Sequence, residues 1–319
     1  MPIHKLNSDN LIGKWVDAHV HTIGTDLNRF IFDRYPTSHS IVDMSQKARD
    51  VGVDYFVALT MPSPIYYDYP HYWDKKQFKS SGLGQFPFEH ENRHLLKTIQ
   101  ALSITNALPF LSFSLQDKII EQEKNMVNLI SKYYVYGLKY HTVADQNNAL
   151  AIMANSSVLL IAEKYNIPIL IHSGLDPLSD PLNVYTLAVQ NPTIRFCAAH
   201  IGDFSPAFIR KVLEKPLKNL FVDSGPFIAM CMKVNENKVM KSERIDVDYS
   251  NPQIAFKQVY EIFQDSLVWS SDEPWTLSGN INEKKSIYGT SYSKEAELYN
   301  VCDFKEELSV NARRYLFGD

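Results

Sequence analysis

The chain has 319 residues, of which 45% are hydrophobic, so it can bury one large core, and α/β barrels of this length need no division into smaller domains. The formal net charge is -4, and charges of both signs are scattered rather than blocked. This distribution excludes a basic stripe for nucleic acid and a polybasic membrane patch, and it favours a small-molecule partner.

The first residues lack the apolar run of a signal peptide, and no later stretch has the uninterrupted apolar length that spans a bilayer. The three cysteines, Cys197, Cys231 and Cys302, lie far apart and predict reduced thiols rather than a disulfide framework. We therefore expect a soluble, cytoplasmic protein.

Eight short apolar runs predict strands, since each is rich in β-branched or aromatic residues and most end at Gly, Pro or a turn former. They cover residues 15–21, 54–61, 108–115, 136–142, 167–174, 194–202, 220–226 and 267–274. Segments with helical period lie between them, for example at 40–52, 118–134, 156–166, 205–215 and 254–264. The alternation implies parallel strands with helical crossovers, which an open doubly wound sheet would share. The count of eight favours a (β/α)8 TIM barrel that forms a single domain over residues 1–319.

Two connections are longer than a βα unit requires: an aromatic-rich loop at about 62–95, and residues 227–252. In a barrel both would follow a strand and overhang the catalytic face, where long loops act as lids or substrate walls. For the aromatic loop the alternative is a packing surface or a contact between subunits of a homo-oligomer.

The first strand carries polar side chains that do not belong in a core. Alternation should turn its apolar side chains, Val16, Ala18 and Val20, toward the helices. It should then turn its polar side chains into the barrel, and these are Asp17, His19 and His21. Two histidines at i and i+2 can converge on one cation, although such a pair can also be a hydrogen-bonded core feature.

Three further strands end on a residue that can bind metal, namely His172, His200 and Asp272. Burial of these groups without partners would cost several kcal/mol each, which favours a divalent metal at their centre. Three of these four imidazoles together with the one carboxylate would suit Zn²⁺, with cobalt, manganese and iron as alternatives. We expect one ion, with a coordination position left for water, which makes a metal site catalytic.

The motifs resemble, in order, those of the amidohydrolase superfamily, particularly the amidohydrolase-related (amidohydrolase 2) branch that includes aminocarboxymuconate-semialdehyde decarboxylase. The similar segments are DAHVH (17–21), GLKYH (137–141), ILIHSG (169–174), AAHIG (198–202), SSDEPW (270–275) and NARRYLFG (311–318). The resemblance implies that His19, His21, His172 and Asp272 are metal ligands, and that His200 either joins the metal or orients the attacking water. It also implies that Asp272 takes a proton from that water.

Lys139 and His141 share a strand parity, so both should face the pocket. In several binuclear branches of the superfamily the lysine of strand four is carboxylated and bridges two metals, whereas one metal commonly suffices in the branch that this chain resembles. We expect an unmodified Lys139 with a catalytic role, paired with Asp272 or Asp17 or bound to a substrate carboxylate. The alternative is a second ion bridged by carboxylated Lys139.

Several residues are weaker candidates. Asp17 is expected to orient a ligand imidazole, with a buried ion pair as the alternative. Asp223 would form a hydrogen bond at the rim or cap a turn. The candidates for substrate binding are His141, Tyr72 and Trp275, although aromatic residues more often serve packing.

Three functions compete. The leading one is hydrolysis of an amide, ester or lactone in a small molecule by a metal-activated water. The alternative is metal-dependent decarboxylation of an unsaturated carboxylic acid, because the branch contains such lyases. A non-catalytic binding barrel would predict loss of an essential site residue, whereas suitable residue types occupy every position of the pattern.

Overall fold

A computed structural model of the chain describes residues 5–22, 40–63, 66–68, 71, 74–75, 77–154, 156–236, 241–274, 279–280, 285–286 and 291–318. Eight parallel strands pair in sequence order. They are β1 (Val16–Thr22), β2 (Tyr55–Thr60), β3 (Ala107–Phe113), β4 (Gly137–Tyr140), β5 (Ile169–Ile171), β6 (Phe196–Ala198), β7 (Leu220–Asp223) and β8 (Leu267–Val268). A short antiparallel pair follows, formed by β9 (Gly279–Asn280) and β10 (Lys285–Ser286).

The sheet closes where the chain beyond β8 runs beside β1. Ala18 N donates to Trp269 O at 3.0 Å, and His21 N donates to Glu273 O at 2.8 Å. Val20 and Glu273 form a parallel bridge. The predicted (β/α)8 TIM barrel is therefore confirmed.

Helices connect the strands. They are α1 (Ile41–Val51), α2 (Glu89–Ala101), α3 (Ile119–Lys132), α4 (Thr142–Asp145), α5 (Ser156–Tyr165), α6 (Pro181–Gln190), α7 (Pro206–Glu214), α8 (Phe227–Glu236), α9 (Pro252–Phe263), α10 (Tyr292–Val301) and α11 (Lys305–Phe317). Short 3-10 segments lie at Ser8–Leu11, Ala149–Ile152, Ala199–Phe204 and Gln264–Ser266. Among the helices that the structure describes, none has both the length and the apolar character needed to cross a membrane.

Three of these helices begin with the same local signal. A capping side chain at Asp180, Ser205 or Asn251 accepts a hydrogen bond from a backbone N–H of the first turn, and a proline follows it. The cap satisfies a donor that has no partner inside the helix, and proline needs no partner at the first helical position. Each of α6, α7 and α9 therefore begins at a cap residue followed by proline.

Two buried layers alternate along the strands. The outer layer packs between the strands and the helices, and the inner layer fills the barrel. The inner layer contains Leu108, Phe110, Leu170, Cys197, Phe221 and Val268. Tyr315 of α11 closes this layer against the rings of Phe110 and Phe221, so the end of the barrel opposite the strands' carboxyl ends is plugged.

The expected alternation in β1 is wrong in its first half. Val16 and Ala18 pack in the inner layer, whereas Val20 packs in the outer one. The pairing of β1 with β2 shifts between Asp17 and Val20, and such a bulge reverses which face later side chains occupy. Asp17 therefore does not share a face with His19.

The aromatic loop predicted at about 62–95 ends earlier than expected, because α2 begins at Glu89. Of its described aromatic side chains, Tyr66, Tyr67 and Phe88 form a small buried cluster with Phe78 against it. These described residues pack on one another.

Candidate metal centre

Polar side chains converge at the carboxyl ends of the barrel strands, where barrel enzymes place their chemistry. The strands, or the residues just beyond them, supply His19, His21, Lys139, His141, His172, His200, Asp223 and Asp272. Tyr72 and Trp275, which sequence reasoning proposed as substrate-binding residues, lie outside the described residues.

Three donor atoms form a compact triangle. His19 Nε2 lies 3.1 Å from His21 Nε2 and 3.2 Å from Asp272 Oδ1, and His21 Nε2 lies 3.5 Å from the same oxygen. Neighbouring ligands at about 2.1 Å from a divalent ion are about 3.0–3.4 Å apart in octahedral or tetrahedral geometry. The triangle therefore has the dimensions of one face of a metal coordination shell.

Asp272 is held in an unusual backbone conformation with an unpartnered oxygen. Its φ is 55°, in the left-handed region, and its N donates to His19 O at 2.9 Å. Its Oδ1 is buried without a hydrogen-bond donor among the described residues, and His21 Nδ1 is likewise unpartnered. Burial raises the pKa of the Asp272 carboxyl well above its usual value. A cation would satisfy the orphaned oxygen and reverse this effect, so these residues fit a metal.

Asp223 fixes the tautomer of His19. Its Oδ2 lies 2.9 Å from His19 Nδ1, and its Oδ1 accepts from His200 N at 3.1 Å and Ser270 Oγ at 3.0 Å. Because a carboxylate accepts, Nδ1 carries the proton, and Nε2 offers its lone pair to the triangle. Asp223 thus has the orienting role that sequence reasoning gave to Asp17, and it is fully buried rather than at the rim. The sequence held one signal for this role: Asp223 lies two residues after Phe221 on β7, so both side chains face the inside of the barrel.

Among the described residues, Asp17 forms no hydrogen bond with an imidazole ring, and its hydrogen bonds go to the backbone of β1 and to Ser271. It accepts from the backbone N of His19 at 3.2 Å and from the N and Oγ of Ser271 at 3.0 and 2.6 Å. Burial raises the pKa of Asp17 to about 7, although these hydrogen bonds oppose the shift. Asp17 therefore joins β1 to the segment that carries Asp272.

Lys139 lies in the centre of the site. Its Nζ is 3.2 Å from His19 Nε2, and the side chain is almost completely buried. Burial lowers the pKa of Lys139 to about 8, while the charges of Asp223 and Asp272 act in the opposite direction. The structure therefore shows the charges of Asp223 and Asp272 acting on the ammonium from a distance.

Three further imidazoles form a chain that leads outward. His200 Nδ1 donates to Gly225 O at 2.5 Å, so His200 Nε2 is the acceptor for His172 Nδ1 at 3.2 Å. The His172 ring stacks on His141 with centroids 4.2 Å apart, and His141 Nδ1 accepts from Ala144 N. Burial lowers the pKa of each imidazole, to about 3 for His141. At neutral pH these rings are uncharged donors and acceptors.

His200 and His172 contact each other, but only His200 lies in a described group of residues that could hold a metal. His200 joins His19 and Asp223 in a second group of donor atoms that could hold a metal, and His172 belongs to neither described group. His172 instead contacts His200 and His141.

His200 opens a left-handed turn. Residues His200, Ile201, Gly202, Asp203 and Phe204 all have φ between 52° and 60°. Left-handed conformation costs about 1–2 kcal/mol per non-glycine residue, so the four of them cost roughly 4–8 kcal/mol in total. A Cβ at Gly202 would lie 2.8 Å from Pro181 Cβ, so this position needs glycine for space as well. Such strain persists only where tertiary contacts hold it.

Glycine is also required where β7 approaches the end of β8. A Cβ at Gly225 would lie 2.5 Å from the backbone carbon of Ser271. Gly225 N donates to Ser270 Oγ at 2.6 Å, and its carbonyl receives the His200 ring. The close approach therefore sets His200 against the segment that bears Asp272.

Neither a protein-family model nor a curated protein matches the sequence. Solved structures match nearly all of it. A probable 2-pyrone-4,6-dicarboxylic acid hydrolase from Acinetobacter baumannii, with citric acid bound, is 16% identical with a TM-score of 0.58, and the match covers 96% of this chain and 100% of that one. The 2,6-dihydroxybenzoate decarboxylase from Rhizobium is 13% identical with a TM-score of 0.58, over 95% and 98% of the two chains.

A third neighbour was solved with a metal. The 5-carboxyvanillate decarboxylase from Novosphingobium aromaticivorans, complexed with manganese and 4-hydroxy-3-methoxy-5-nitrobenzoic acid, is 10% identical with a TM-score of 0.57, over 95% and 96% of the two chains. At these identities the likeness shows the shared barrel fold.

Proposed function

We propose that this chain is a metal-dependent enzyme of the amidohydrolase-related branch that hydrolyses an ester, lactone or amide bond in a small molecule. The observation that carries the proposal is the triangle of His19 Nε2, His21 Nε2 and Asp272 Oδ1, with the lone pair of His19 directed by Asp223. The barrel fold and the order of the motifs support it.

The residues that would hold the ion are His19, His21 and Asp272, with His172 and His200 as the adjacent imidazoles. When bound, a divalent cation supplies a Lewis acid and lowers the pKa of a water molecule. The nitrogen-rich donor set suits Zn²⁺, and manganese in a neighbour of the same fold makes Mn²⁺ the second candidate. We propose a single ion, because Lys139 Nζ lies 3.2 Å from His19 Nε2 and can act as an unmodified ammonium rather than as a carboxylated bridge to a second metal.

Asp272 is the proposed proton acceptor. Burial raises its pKa while a nearby cation would lower it, and these opposing effects suit a carboxylate that takes a proton and returns it to the leaving group. His200 has its Nδ1 proton directed at Gly225 O, so its Nε2 can only accept. His200 therefore orients a donor, such as a water molecule or the His172 ring, rather than supplying a proton.

Lys139 and His141 are the proposed contacts to the substrate. The ammonium of Lys139 is buried among neutral imidazoles, and a carboxylate or carbonyl oxygen of a substrate would give it a partner. His141 uses Nδ1 as an acceptor for Ala144 N, so its neutral ring carries a proton on Nε2 that can be donated.

Decarboxylation of an unsaturated carboxylic acid is the second candidate. It is favoured by the buried cation of Lys139, which suits an acidic substrate, and by two decarboxylases among the neighbours of the same fold.

A substrate screen separates the two reactions. Protein reconstituted with Zn²⁺ or Mn²⁺ is incubated with esters, lactones and amides, with proton release as the signal, and with aromatic and unsaturated acids, with carbon dioxide as the signal. We expect turnover in the first set that Asp272→Asn abolishes. Carbon dioxide release alone would establish the decarboxylase, and turnover retained in Asp272→Asn would refute the role of this carboxylate.

A further inference from the structure

An ion pair holds the left-handed turn that begins at His200 near its other end, at Asp203. Arg244 Nη2 lies 2.8 Å from Asp203 Oδ2, and Arg244 Nε donates to Asp203 Oδ1 at 3.4 Å. The Arg244 side chain is 1% exposed, so the pair is shielded on the arginine side. A two-pronged contact of this kind fixes orientation as well as distance.

The segment that bears Arg244 is itself braced against the turn. Ile245 N donates to Phe204 O at 3.1 Å. Tyr249 places the edge of its ring on Phe204, with centroids 5.3 Å apart, and its hydroxyl donates to Ile245 O at 2.6 Å. The long connection after α8 therefore holds the last two residues of the left-handed run.

We propose that Arg244 is a positioning residue for His200 and acts through Asp203. The turn is held at its start by Asp223 and Gly225, which receive the backbone and ring N–H groups of His200. At its end, Asp203 forms an ion pair with Arg244. The four non-glycine residues of this turn keep their strained left-handed conformation only while contacts hold both of its ends. Loss of the contact at Asp203 should therefore let the backbone change conformation and move His200 away from Asp223.

This positioning role follows from the geometry alone, and its importance for catalysis rests on the proposed function. The long connection at residues 227–252, which the sequence suggested as a lid or wall, would thereby tune the site without touching a substrate.

The test measures the protection of His200 directly. Metal-free protein is treated with diethylpyrocarbonate at neutral pH, and the labelling rate of each histidine is followed by peptide mass spectrometry. His200 should react slowly in the parent, because both ring nitrogens are engaged. His90, which is exposed on α2, serves as an internal reference.

The variants are Asp203→Asn, Arg244→Met, the double variant and Arg244→Lys. We expect each of the first two to raise the labelling rate of His200 at least roughly tenfold, with no further rise in the double variant, because both remove the same contact. Arg244→Lys keeps the charge but only one of the two hydrogen bonds, so it should restore part of the protection.

The matched control is Arg195→Met. Arg195 is also buried, but it bonds Tyr315 O and Asn166 at the plugged end of the barrel. The Arg195→Met variant should have a lower melting temperature than the parent and leave His200 protected from labelling. Parental labelling of His200 in Asp203→Asn and Arg244→Met, or an equal rise in Arg195→Met, would overturn the proposal. Asp203 is 21% exposed, so Asp203→Asn gives the answer even if Arg244→Met fails to fold.

The experiment uses neither metal nor turnover. A protein that binds no metal but shows the labelling pattern would keep the positioning role and lose the proposed function. A protein that binds metal but shows parental labelling of His200 in the variants would keep the proposed function and lose the positioning role of Arg244.

Discussion

Replacing Asp223 with asparagine exchanges one carboxylate oxygen for an NH2 group beside the His19 imidazole. Asp223 Oδ1 accepts from His200 N and Ser270 Oγ, so the amide oxygen of the asparagine will take that place. The NH2 group must then face His19 Nδ1, which at present donates to Oδ2 at 2.9 Å. His19 escapes this clash of donors only by moving its proton to Nε2, where the lone pair for the metal is lost.

The size of the effect follows from this tautomer change. Loss of the partner that orients a ligand imidazole weakens metal affinity about 10–100-fold, which is about 1.4–2.7 kcal/mol. We expect Asp223→Asn to fall in this range for Zn²⁺. The fold should be retained, because asparagine has nearly the same shape and keeps the two bonds at Oδ1.

The assay is a competition titration of metal-free protein against a fluorescent zinc chelator. Asp17→Asn is the matched control, because Asp17 is also a buried carboxylate near His19 but contacts only its backbone N. We expect it to change the dissociation constant less than about threefold. If Asp223→Asn binds as tightly as the parent, or if both variants weaken binding equally, the tautomer argument is refuted.

Three further predictions concern stability, measured by urea unfolding of metal-free protein. Burial raises the pKa of Asp17 to about 7, so its contribution is complete below the unfolded-state pKa and is lost as pH rises through about 7; Asp17→Asn should remove a pH-dependent loss on the order of 4 kcal/mol between pH 4 and 8, and an unchanged slope would contradict this. Burial lowers the pKa of Lys139 to about 8, so the penalty of its charge grows as pH falls. Lys139→Met should be more stable than the parent at pH 7 by up to about 3 kcal/mol, and this gain should shrink as pH rises above about 8 and vanish above the unfolded-state pKa of about 10.4. A less stable variant at pH 7 would show that the ammonium is well compensated. Gly202→Ala should cost about 1–3 kcal/mol, because its Cβ would approach Pro181 at 2.8 Å in a left-handed backbone, and parental stability would rule out the turn as described.

The fold was accessible from the sequence because hydrophobic periodicity and turn residues are local signals. The eight strands coincide with the apolar runs, and the segments with helical period at 205–215 and 254–264 overlap α7 and α9. The site was accessible in outline because parallel strands deliver their ends to one rim, so His19, His21 and Asp272 could be grouped before any geometry was known.

Features that depend on tertiary contacts were not accessible. The shift of register between Asp17 and Val20 inserts one residue without any residue type that announces it. The left-handed turn contains one glycine, and it is held by an ion pair between Asp203 and Arg244, which is 41 residues further along the chain. Sequence reasoning expected Asp17 to orient a ligand imidazole, but the bulge turns Asp17 toward Ser271. The closure of the barrel places Asp223 beside His19 instead.

Metal content tests the central claim most directly. The protein is purified without a metal-affinity tag, and elemental analysis compares the parent with His19→Ala and Asp272→Asn, each before and after reconstitution. The triangle of donor atoms predicts about one equivalent of a divalent metal in the parent and its loss in both variants. Two equivalents would instead indicate a bridging, carboxylated Lys139. A parent that holds no metal even after reconstitution would contradict the proposed metal centre.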